Sequence, residues 1–281
     1  MSVPVAARDE ARHPSGPEPL WSEAWTFEFF APDASIGGWV RLGLYPNLGL
    51  AWYHGLLVRS RRPPVSVSDL DVALPKGDSR EIRAPGLWAD HVCETPLEHW
   101  TVTNEAHGVA VDHPAELYAT EPRGEVVPIA FDLEWETDGI ACPDGPAGYE
   151  VPCVVHGEIL VGDERVELAG WGHRGHAWGP CDFWSAAWTR VAGRLDDGTR
   201  FGGRAAGAAA ELGPAGLPAS ATVEVGGLAL TIAPLAFAPA WLTAQGKEAR
   251  LARALCRFTA ADGRTGLGWA EWNQPVMPDS P

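Results

Sequence analysis

Residues 25–58 read WTFEFFAPDASIGGWVRLGLYPNLGLAWYHGLLV, in which three runs of aromatic and aliphatic residues are separated by two turns. The runs are Trp25–Phe30, Gly38–Tyr45 and Leu50–Val58, and the turns carry Pro, Asp, Asn and Gly. Aromatic and β-branched residues favour strands, whereas those four residue types favour tight turns. The stretch therefore predicts three consecutive antiparallel strands joined as a meander.

The same pattern continues along the rest of the chain. Short apolar segments alternate with turn signals such as Asp196-Asp-Gly-Thr and Ala261-Asp-Gly-Arg, and 32 Gly and 25 Pro supply the breaks. Helical periodicity is poor, and at most one short helix is expected, in the Ala-rich run 205–211. Many short strands with regular turns indicate an all-β sandwich or barrel.

The sequence predicts two β-domains. Residues 1–20 are polar and rich in Pro, which predicts a flexible leader. The Gly- and Pro-rich stretch 138–148 is the best internal linker, and it divides the remainder into domains 21–148 and 149–281. Each half, of roughly 130 residues, suits an antiparallel barrel or half-barrel, a size whose interior holds one small ligand. The two units are expected to pack together.

The charge balance limits the classes of partner. There are 37 acidic residues against 21 Lys and Arg, for a net charge of −16. Such a surface repels phosphate backbones and anionic lipid, so nucleic acid and membrane surfaces are not expected partners. No uninterrupted run of about 18 apolar residues occurs, so no membrane-spanning helix is predicted. A small molecule is the expected partner, and a homodimer is left open.

The cysteines and the N-terminus indicate the compartment. The five cysteines are an odd number, widely spaced and without a C-x-x-C pair, which fits reduced thiols better than a disulfide framework or a zinc ribbon. The first twenty residues contain charges and prolines where a signal peptide needs an apolar run. The sequence therefore predicts a cytoplasmic protein.

A first polar cluster lies between Trp88 and Trp100 and contains candidate proton donors and acceptors: Asp90, His91, Glu94, Glu98 and His99. Glu94 and Glu98 share strand parity, although Pro96 interrupts the segment, and a carboxyl that faces an apolar interior has a raised pKa suited to proton transfer. One such acid with a second carboxyl or a His as base would suit addition to, or cyclisation of, an alkene. Ion pairing with Arg83, Arg41 or Arg174 is the structural alternative.

A second polar cluster runs from Gly170 to Gly179 (GWGHRGHAWG) and continues to Asp182, Trp184 and Trp188. His173 and His176 are three residues apart, so on a strand they point to opposite faces, and Cys181 follows across Pro180. That spacing does not favour a metal site. His176 is expected either as a core histidine bonded to a carbonyl or as an acid or base in a pocket.

The sequence lacks the motifs of nucleophile and cofactor enzymes. It has no G-x-S-x-G elbow, no G-x-G-x-x-G after a strand and no phosphate-binding G-x-x-x-x-G-K-[ST]. We therefore expect cofactor-free chemistry, without a metal.

The 14 Trp residues are spread over nearly every predicted strand. Core packing explains most of them, about two-thirds, because buried aromatics dominate core energetics. The others are expected to wall an apolar cavity, where indole faces also stabilise cations. The side chains expected to contact a substrate are Trp88, Trp100, Trp178, Trp184 and Trp188, together with His91, His99 and His173.

Several motifs resemble a known group of proteins: Gly37–Asn47 (GGWVRLGLYPN), Leu87–His91 (LWADH), Phe131–Trp135 (FDLEW) and Gly170–Gly179, with FEFF-APD before them. Together they resemble an actinobacterial family related to the carotenoid 1,2-hydratase (hydroxyneurosporene synthase) superfamily. The resemblance runs from about Trp25 to Trp272. It implies two lipocalin-like (calycin) units, and activities such as alkene hydration or Diels–Alder cyclisation on polyenes, terpenoids or polyketides, without a cofactor.

One position departs from the resembling proteins. They tend to carry Arg-Asp-His-Ser-Trp-Gly or His-Asp-His-Asn-Trp-Gly where this chain has RGHAWG, residues 174–179. The resemblance therefore supports His176 and Trp178, but Gly175 replaces the acid. Either the acid role moves to Asp90, Glu94, Glu98 or Asp182, or the reaction needs only a shaped pocket, as a pericyclic step does.

These inferences lead to one main function and two alternatives. We expect a cofactor-free enzyme that hydrates, isomerises or cyclises a hydrophobic small molecule in a Trp-lined cavity. A lipocalin-like carrier or sensor that binds such a molecule unchanged is the alternative from another class. A biosynthetic chaperone or scaffold is the third.

Overall fold

The computed structural model describes residues 5–119, 121–145, 147–180, 183–213 and 216–276. The chain is all-β, as expected, and forms two antiparallel sheets with two single-turn 3-10 helices, Ala7–Glu10 and Pro114–Leu117. The first sheet contains β1 (Trp21–Phe30), β2 (Ile36–Tyr45), β3 (Leu50–Arg59), β4 (Val65–Ala73), β5 (Ile82–Ala84), β6 (Leu87–Thr95), β7 (His99–Ala110), β8 (Glu125–Thr137), β9 (Cys142–Pro143), β10 (Gly148–Val161) and β11 (Glu164–Pro180).

The first sheet closes on itself as an eight-stranded barrel. Its strands follow the order β4-β3-β2-β1-β11-β10-β8-β7, and β7 pairs back with β4 through Val65–Ala110 and Ser66–Val109. The hairpin of β5 and β6 continues from β7, and β9 pairs with β10. Closure removes the free edges that an open sheet would expose. The meander expected from residues 25–58 is β1 to β3.

The second sheet is an eight-stranded antiparallel sheet built from the C-terminal part of the chain. Seven strands follow the order β13-β12-β19-β18-β16-β15-β14, and the remaining strand, β17, pairs with β18. Its strands are β12 (Trp188–Leu195), β13 (Arg200–Arg204), β14 (Ala206–Leu212), β15 (Pro218–Val225), β16 (Leu228–Phe237), β17 (Ala240–Ala244), β18 (Lys247–Ala260) and β19 (Thr265–Val276). None of the described helices could cross a membrane.

Three features of the chain differ in detail from the sequence expectations. Residue 148, the expected domain boundary, is the first residue of β10, and the chain passes from one sheet to the other between Pro180 and Trp188. The Ala-rich run for which a helix was the expectation is strand β14, because pairing with β15 outweighs the weak helix preference of a Gly-interrupted segment. The described part of the leader, from residue 5, packs on the barrel and buries Glu10.

Two packed layers of aromatic side chains support the fold. Trp25, Phe27 and Phe29 of β1 fill the barrel interior with Trp100 and Trp135. The opposite face of the barrel wall packs on the second sheet through a separate cluster: Phe30, Trp39, Trp52, Leu255 and Trp269. Eight of the 14 Trp side chains are buried, and six of these are less than 2 % exposed. Most of the Trp excess is therefore core.

Candidate functional site

Strands β1 and β11 form the wall between the barrel interior and the second sheet. Their antiparallel register pairs Trp25 with His176 and Thr26 with Gly175. Because successive strand residues point to opposite faces, Trp25 and His176 face the barrel interior. Thr26 and Gly175 face the second sheet. The wall thus carries polar groups on both faces.

A cavity of about 180 Å³ lies on the second-sheet side of this wall. We call it the inter-sheet cavity. Small residues of the wall form its floor: Ser22, Ala24, Thr26, Gly175, Ala177 and Gly179. Aromatic rings and charged groups complete it, together with Pro180 and Leu251: Trp39, Tyr149, His176, Trp178, Phe183, Trp188, Arg41, Arg190, Arg204, Asp144, Glu150 and Glu271. His176, a predicted catalytic residue, therefore also borders this cavity. The absence of large side chains along the floor is what leaves the space.

A buried network of ion pairs joins the two sheets beside the cavity. Arg190 of β12 bonds to Glu150 of β10, and its Nη1 lies 3.1 Å from Oε1 of Glu28. Arg253 of β18 pairs with the same Glu28 and with Glu271. Burial alone would raise the pKa of Glu28, yet Arg190 and Arg253 hold that pKa below its ordinary value. Glu28 is therefore a fixed negative charge.

Glu150 is the carboxyl in this network whose ionisation is finely balanced. Burial raises its pKa to about 7, against the opposing effect of Arg190, with Asp144 and Glu28 adding to the rise. A carboxyl with a pKa near 7 carries its proton in about half of the molecules at neutral pH, which suits a general acid. Glu150 lines the inter-sheet cavity and is the cross-strand partner of Gly175.

The barrel side of the wall carries a different polar group, centred on His176. Its Nε2 lies 3.0 Å from Oε1 of Glu23, its Nδ1 lies 2.8 Å from the carbonyl oxygen of Asp9, and its ring stacks on Trp25. His13 approaches the same Glu23 oxygen at 2.9 Å. Burial lowers the pKa of His176 despite the bond to Glu23. The group meets the ligand requirements of a metal ion, as does a more exposed one of Glu134, Glu136 and His156.

The polar residues predicted between 88 and 100 do not line the inter-sheet cavity. Glu94 and Glu98 are exposed, and His99 is half-buried and bonds to Glu134 at 3.0 Å. Asp90 is half-buried, and burial raises its pKa. These side chains belong to the hairpin of β6 and β7, in which β7 is a barrel strand and β6 pairs with it.

The other members of that segment are structural. Trp100 and His91 are buried, and Nε1 of Trp100 donates to Oε2 of Glu10 at 3.0 Å. Burial lowers the pKa of His91 to about 4, so its ring is neutral at pH 7. Trp88 is half-buried and donates to Glu81 at 2.9 Å.

The second polar cluster is distributed over both faces of the wall. His173 is buried, and burial lowers its pKa to about 4. Trp178 and Trp188 both line the cavity, whereas half-buried Trp184 packs against Phe183. Asp182 lies outside the described residues. His173 and His176 point to opposite faces of β11, as strand alternation predicts.

Sequence reasoning did not select Glu150, Arg190, Glu28 or Arg253. A signal for them was present, because Glu28 and Arg253 interrupt the apolar strands WTFEFF and LARALCRF. A charge within a buried strand must find a partner, since an unpaired buried charge is very costly. Glu28 is 162 and 225 positions away from its two arginine partners, Glu150 is 40 positions away from Arg190, and the sequence gives no indication of which charges meet.

Solved structures with the same fold are found at low sequence identity. They include CghA in complex with Sch210972 (TM-score 0.55, 10% identity, 94% of this chain and 90% of that chain). Kievitone hydratase from Nectria haematococca has a TM-score of 0.55 at 11% identity, over 92% and 90% of the two chains. The AttH-like protein of Nitrosomonas europaea reaches 0.60 at 13% identity, over 96% and 98%. These likenesses confirm the predicted lipocalin-like fold.

The sequence itself matches one family model. No curated protein sequence matches the chain. The matching family is described as a domain of unknown function, DUF7064, and the match extends over residues 6–217. It therefore includes β1, β10 and β11, which form the wall and floor of the inter-sheet cavity. By this match, which covers three quarters of the 281 residues, the protein belongs to the DUF7064 family.

Proposed function

We propose that the protein is a cofactor-free enzyme that protonates an alkene of a hydrophobic small molecule in the inter-sheet cavity. The main observation in support is that Glu150, a buried carboxyl with a pKa of about 7, lines the cavity. It stands across the strand pair from Gly175, the position at which the resembling proteins carry an acid. Glu150 is thus suited to the role that we expected Asp90, Glu94, Glu98 or Asp182 to take.

The proposed reaction begins with proton transfer from Glu150 to one alkene carbon, which leaves a carbocation and the Glu150 carboxylate. Trp188 and Trp39 line the cavity, and indole faces stabilise a cation by about 0.5–2 kcal/mol each. Addition of water and return of its proton to Glu150 gives an alcohol. Loss of a proton from the neighbouring carbon to Glu150 gives the isomer instead. Attack by a second alkene of the same substrate closes a ring and moves the positive charge to that alkene, whose neighbouring carbon then loses a proton to Glu150.

The cavity also limits the substrate. Its 180 Å³ is close to the roughly 150 Å³ of an engineered cavity that binds benzene, and below the roughly 300–1,000 Å³ of pockets that enclose drug-sized ligands. Only the reacting portion of a terpenoid or polyketide would fit inside. Arg41 and Arg204 beside the aromatic wall favour a substrate with a polar oxygen at that end.

The neighbours in structure add general support to this proposal. CghA is a Diels–Alderase and kievitone hydratase is named for a hydration. Because one fold can host different reactions, the cavity of this chain, and not the likeness, carries the proposal.

The test is incorporation of deuterium from D₂O into isoprenoid and polyketide alkenes, followed by mass spectrometry. We expect the wild type to label or hydrate at least one alkene, and Glu150→Gln to lose this activity by at least about 100-fold, the usual worth of a general acid. Glu158→Gln on the same strand is the matched control, because Glu158 pairs with Arg165 away from the cavity. Equal activity of wild type and Glu150→Gln would contradict the proposal.

A carrier is the second candidate function. The observation that favours it is the pairing of Glu150 with Arg190, since a paired carboxylate can anchor a ligand without donating a proton. A carrier would bind the alkene, shown by quenching of Trp fluorescence, and return it without deuterium.

A further inference from the structure

Three metal-ligand atoms converge at the rim of the barrel, on the barrel side of the wall, and one of the three residues, His176, also borders the inter-sheet cavity. Nδ1 of His13 lies 2.9 Å and Nε2 of His176 lies 3.0 Å from Oε1 of Glu23. The three residues come from the N-terminal segment, β1 and β11, so the tertiary structure brings them together. Glu23 and His176 are buried, and the side chain of His13 retains 21% exposure.

One contact in this group, between Nε2 of His176 and Oε1 of Glu23, depends on where the ring of His176 carries its hydrogen. Its Nδ1 lies 2.8 Å from the carbonyl oxygen of Asp9, which can only accept, so Nδ1 carries the hydrogen. In the neutral ring Nε2 then presents a lone pair to a carboxylate oxygen only 3.0 Å away. Two acceptors at that distance repel one another unless a positive centre lies between them, either a second ring proton, which makes the contact a His–Glu ion pair, or a metal ion. A metal ion bound to both atoms would supply it.

The donor set and its surroundings suit a divalent first-row metal. Two imidazole nitrogens and one carboxylate oxygen form the protein ligand set of several zinc sites, with bonds of about 2.0–2.2 Å. In a tetrahedral site, such bonds separate neighbouring ligand atoms by about 3.3 Å, so an outward shift of about 0.3 Å would admit the ion. Metal-bound His usually donates its other ring N–H to a carbonyl or carboxylate, as His176 does to Asp9.

We propose that His13, Glu23 and His176 bind one divalent cation of the zinc class, and that the cation fixes the N-terminal segment to the barrel. The partly exposed side of His13 leaves the fourth position to water. Since only His13 belongs to the N-terminal segment, the cation would join that segment to β1 and β11. The role is structural and is separate from proton transfer by Glu150, which lies on the other face of the wall.

The experiment uses the full-length protein, stripped with a chelator and titrated with Co²⁺, whose visible absorption reports tetrahedral ligands, and then with Zn²⁺ in competition. We expect one equivalent to bind, and His13→Gln to weaken binding by at least 10-fold. His156→Gln, in the exposed group of Glu134, Glu136 and His156, is the matched control and should leave the affinity of this site unchanged.

A second readout measures the proposed consequence. Zn²⁺ should slow proteolytic cleavage within residues 5–20 several-fold in the wild type and not in His13→Gln. Because His13 is partly exposed, its variant should fold; should it not, His13→Asn serves in its place, with the far-UV circular dichroism of the stripped wild type as the criterion. Absence of stoichiometric Co²⁺ binding, or binding lost in His156→Gln and retained in His13→Gln, would overturn the proposal.

Discussion

Glu150 of β10 stands directly opposite Gly175 of β11, and both face the inter-sheet cavity. A Cβ atom added at Gly175 would lie 3.6 Å from the carbonyl oxygen of Tyr149 and 3.9 Å from Cγ of Glu150, so nothing in the backbone requires glycine there. The missing side chain opens the floor of the cavity, and the neighbouring strand supplies a carboxyl at the same place. The acid that is absent at Gly175 and the carboxyl of Glu150 therefore belong to directly paired positions of the cavity wall.

The first prediction concerns the pH dependence of stability. Because the pKa of Glu150 is raised from 4.5 to about 7 on folding, the folded protein holds a proton that the unfolded chain has released between these values. Its contribution to the free energy of unfolding is complete below pH 4.5 and is lost as the pH rises to 7, by on the order of 3 kcal/mol. Urea unfolding at several pH values measures this decline.

Glu150→Gln cannot titrate, so its free energy of unfolding should fall less steeply than that of the wild type between pH 4.5 and 7. Glu158→Gln should retain the wild-type slope. Parallel curves for the wild type and Glu150→Gln would show that Glu150 has an ordinary pKa.

The second prediction concerns the rate of the proposed reaction. Only the protonated form of Glu150 donates, so kcat should be level at acidic pH and decrease tenfold per unit above about pH 7. Steady-state rates of deuterium incorporation between pH 5 and 9 give the profile. A rate independent of pH would instead favour a pericyclic step that depends on positioning alone.

The third prediction contrasts two glycines of β11. Gly175→Val should fold with a loss of stability below about 1.5 kcal/mol, because its Cβ has room, and should block the cavity and abolish turnover. Gly172→Ala should lose about 3 kcal/mol or more, because its Cβ would lie 1.8 Å from the carbonyl oxygen of Glu28. Thermal unfolding and the deuterium assay separate the two effects. Similar stability losses in both variants would contradict the difference in space around the two glycines.

The fourth prediction concerns the charges that join the two sheets. Arg253→Met should destabilise the protein by about 3–5 kcal/mol, because it leaves Glu28 buried beside one arginine in place of two. Adding Glu28→Gln should recover part of that loss, and a double-mutant cycle measures the coupling. Arg194→Met is the control, since its pair with Asp138 is partly exposed and is worth at most about 1 kcal/mol. Equal losses of stability for Arg253→Met and Arg194→Met would contradict a larger contribution of the buried pair.

The fifth prediction concerns the N-terminal segment. Glu10 accepts hydrogen bonds from Trp100 Nε1 at 3.0 Å, the Leu97 amide at 3.0 Å and Arg174 Nη1 at 2.7 Å. Glu10→Ala should therefore cost about 3–5 kcal/mol, since Arg174 stays buried without its partner. Glu18→Ala, at an exposed position, should change stability by less than about 0.5 kcal/mol. Urea denaturation measures the free energy of unfolding of both variants. Equal values would contradict the packing of the N-terminal segment against the core.

Sequence patterns alone predict the fold class and the packing role of most Trp residues. Alternation of apolar and turn residues is a local property, and it predicts strands such as β1 to β3 without knowledge of their partners. The resemblance to known proteins, and not this alternation, indicated that an acid is absent at Gly175. Local reasoning placed the site in two clusters, residues 88–100 and 170–188, because polar and aromatic residues are dense there along the chain.

Which charged groups share a site depends on the tertiary structure. Glu150, Arg190 and Glu28 are brought together by strand pairing and by packing between the sheets, over separations of 40 to 162 residues. The pKa of Glu150 depends on desolvation and on these neighbours, and neither exists until the two sheets enclose it. Residues 88–100 are dense in polar groups, but none of them lines the inter-sheet cavity.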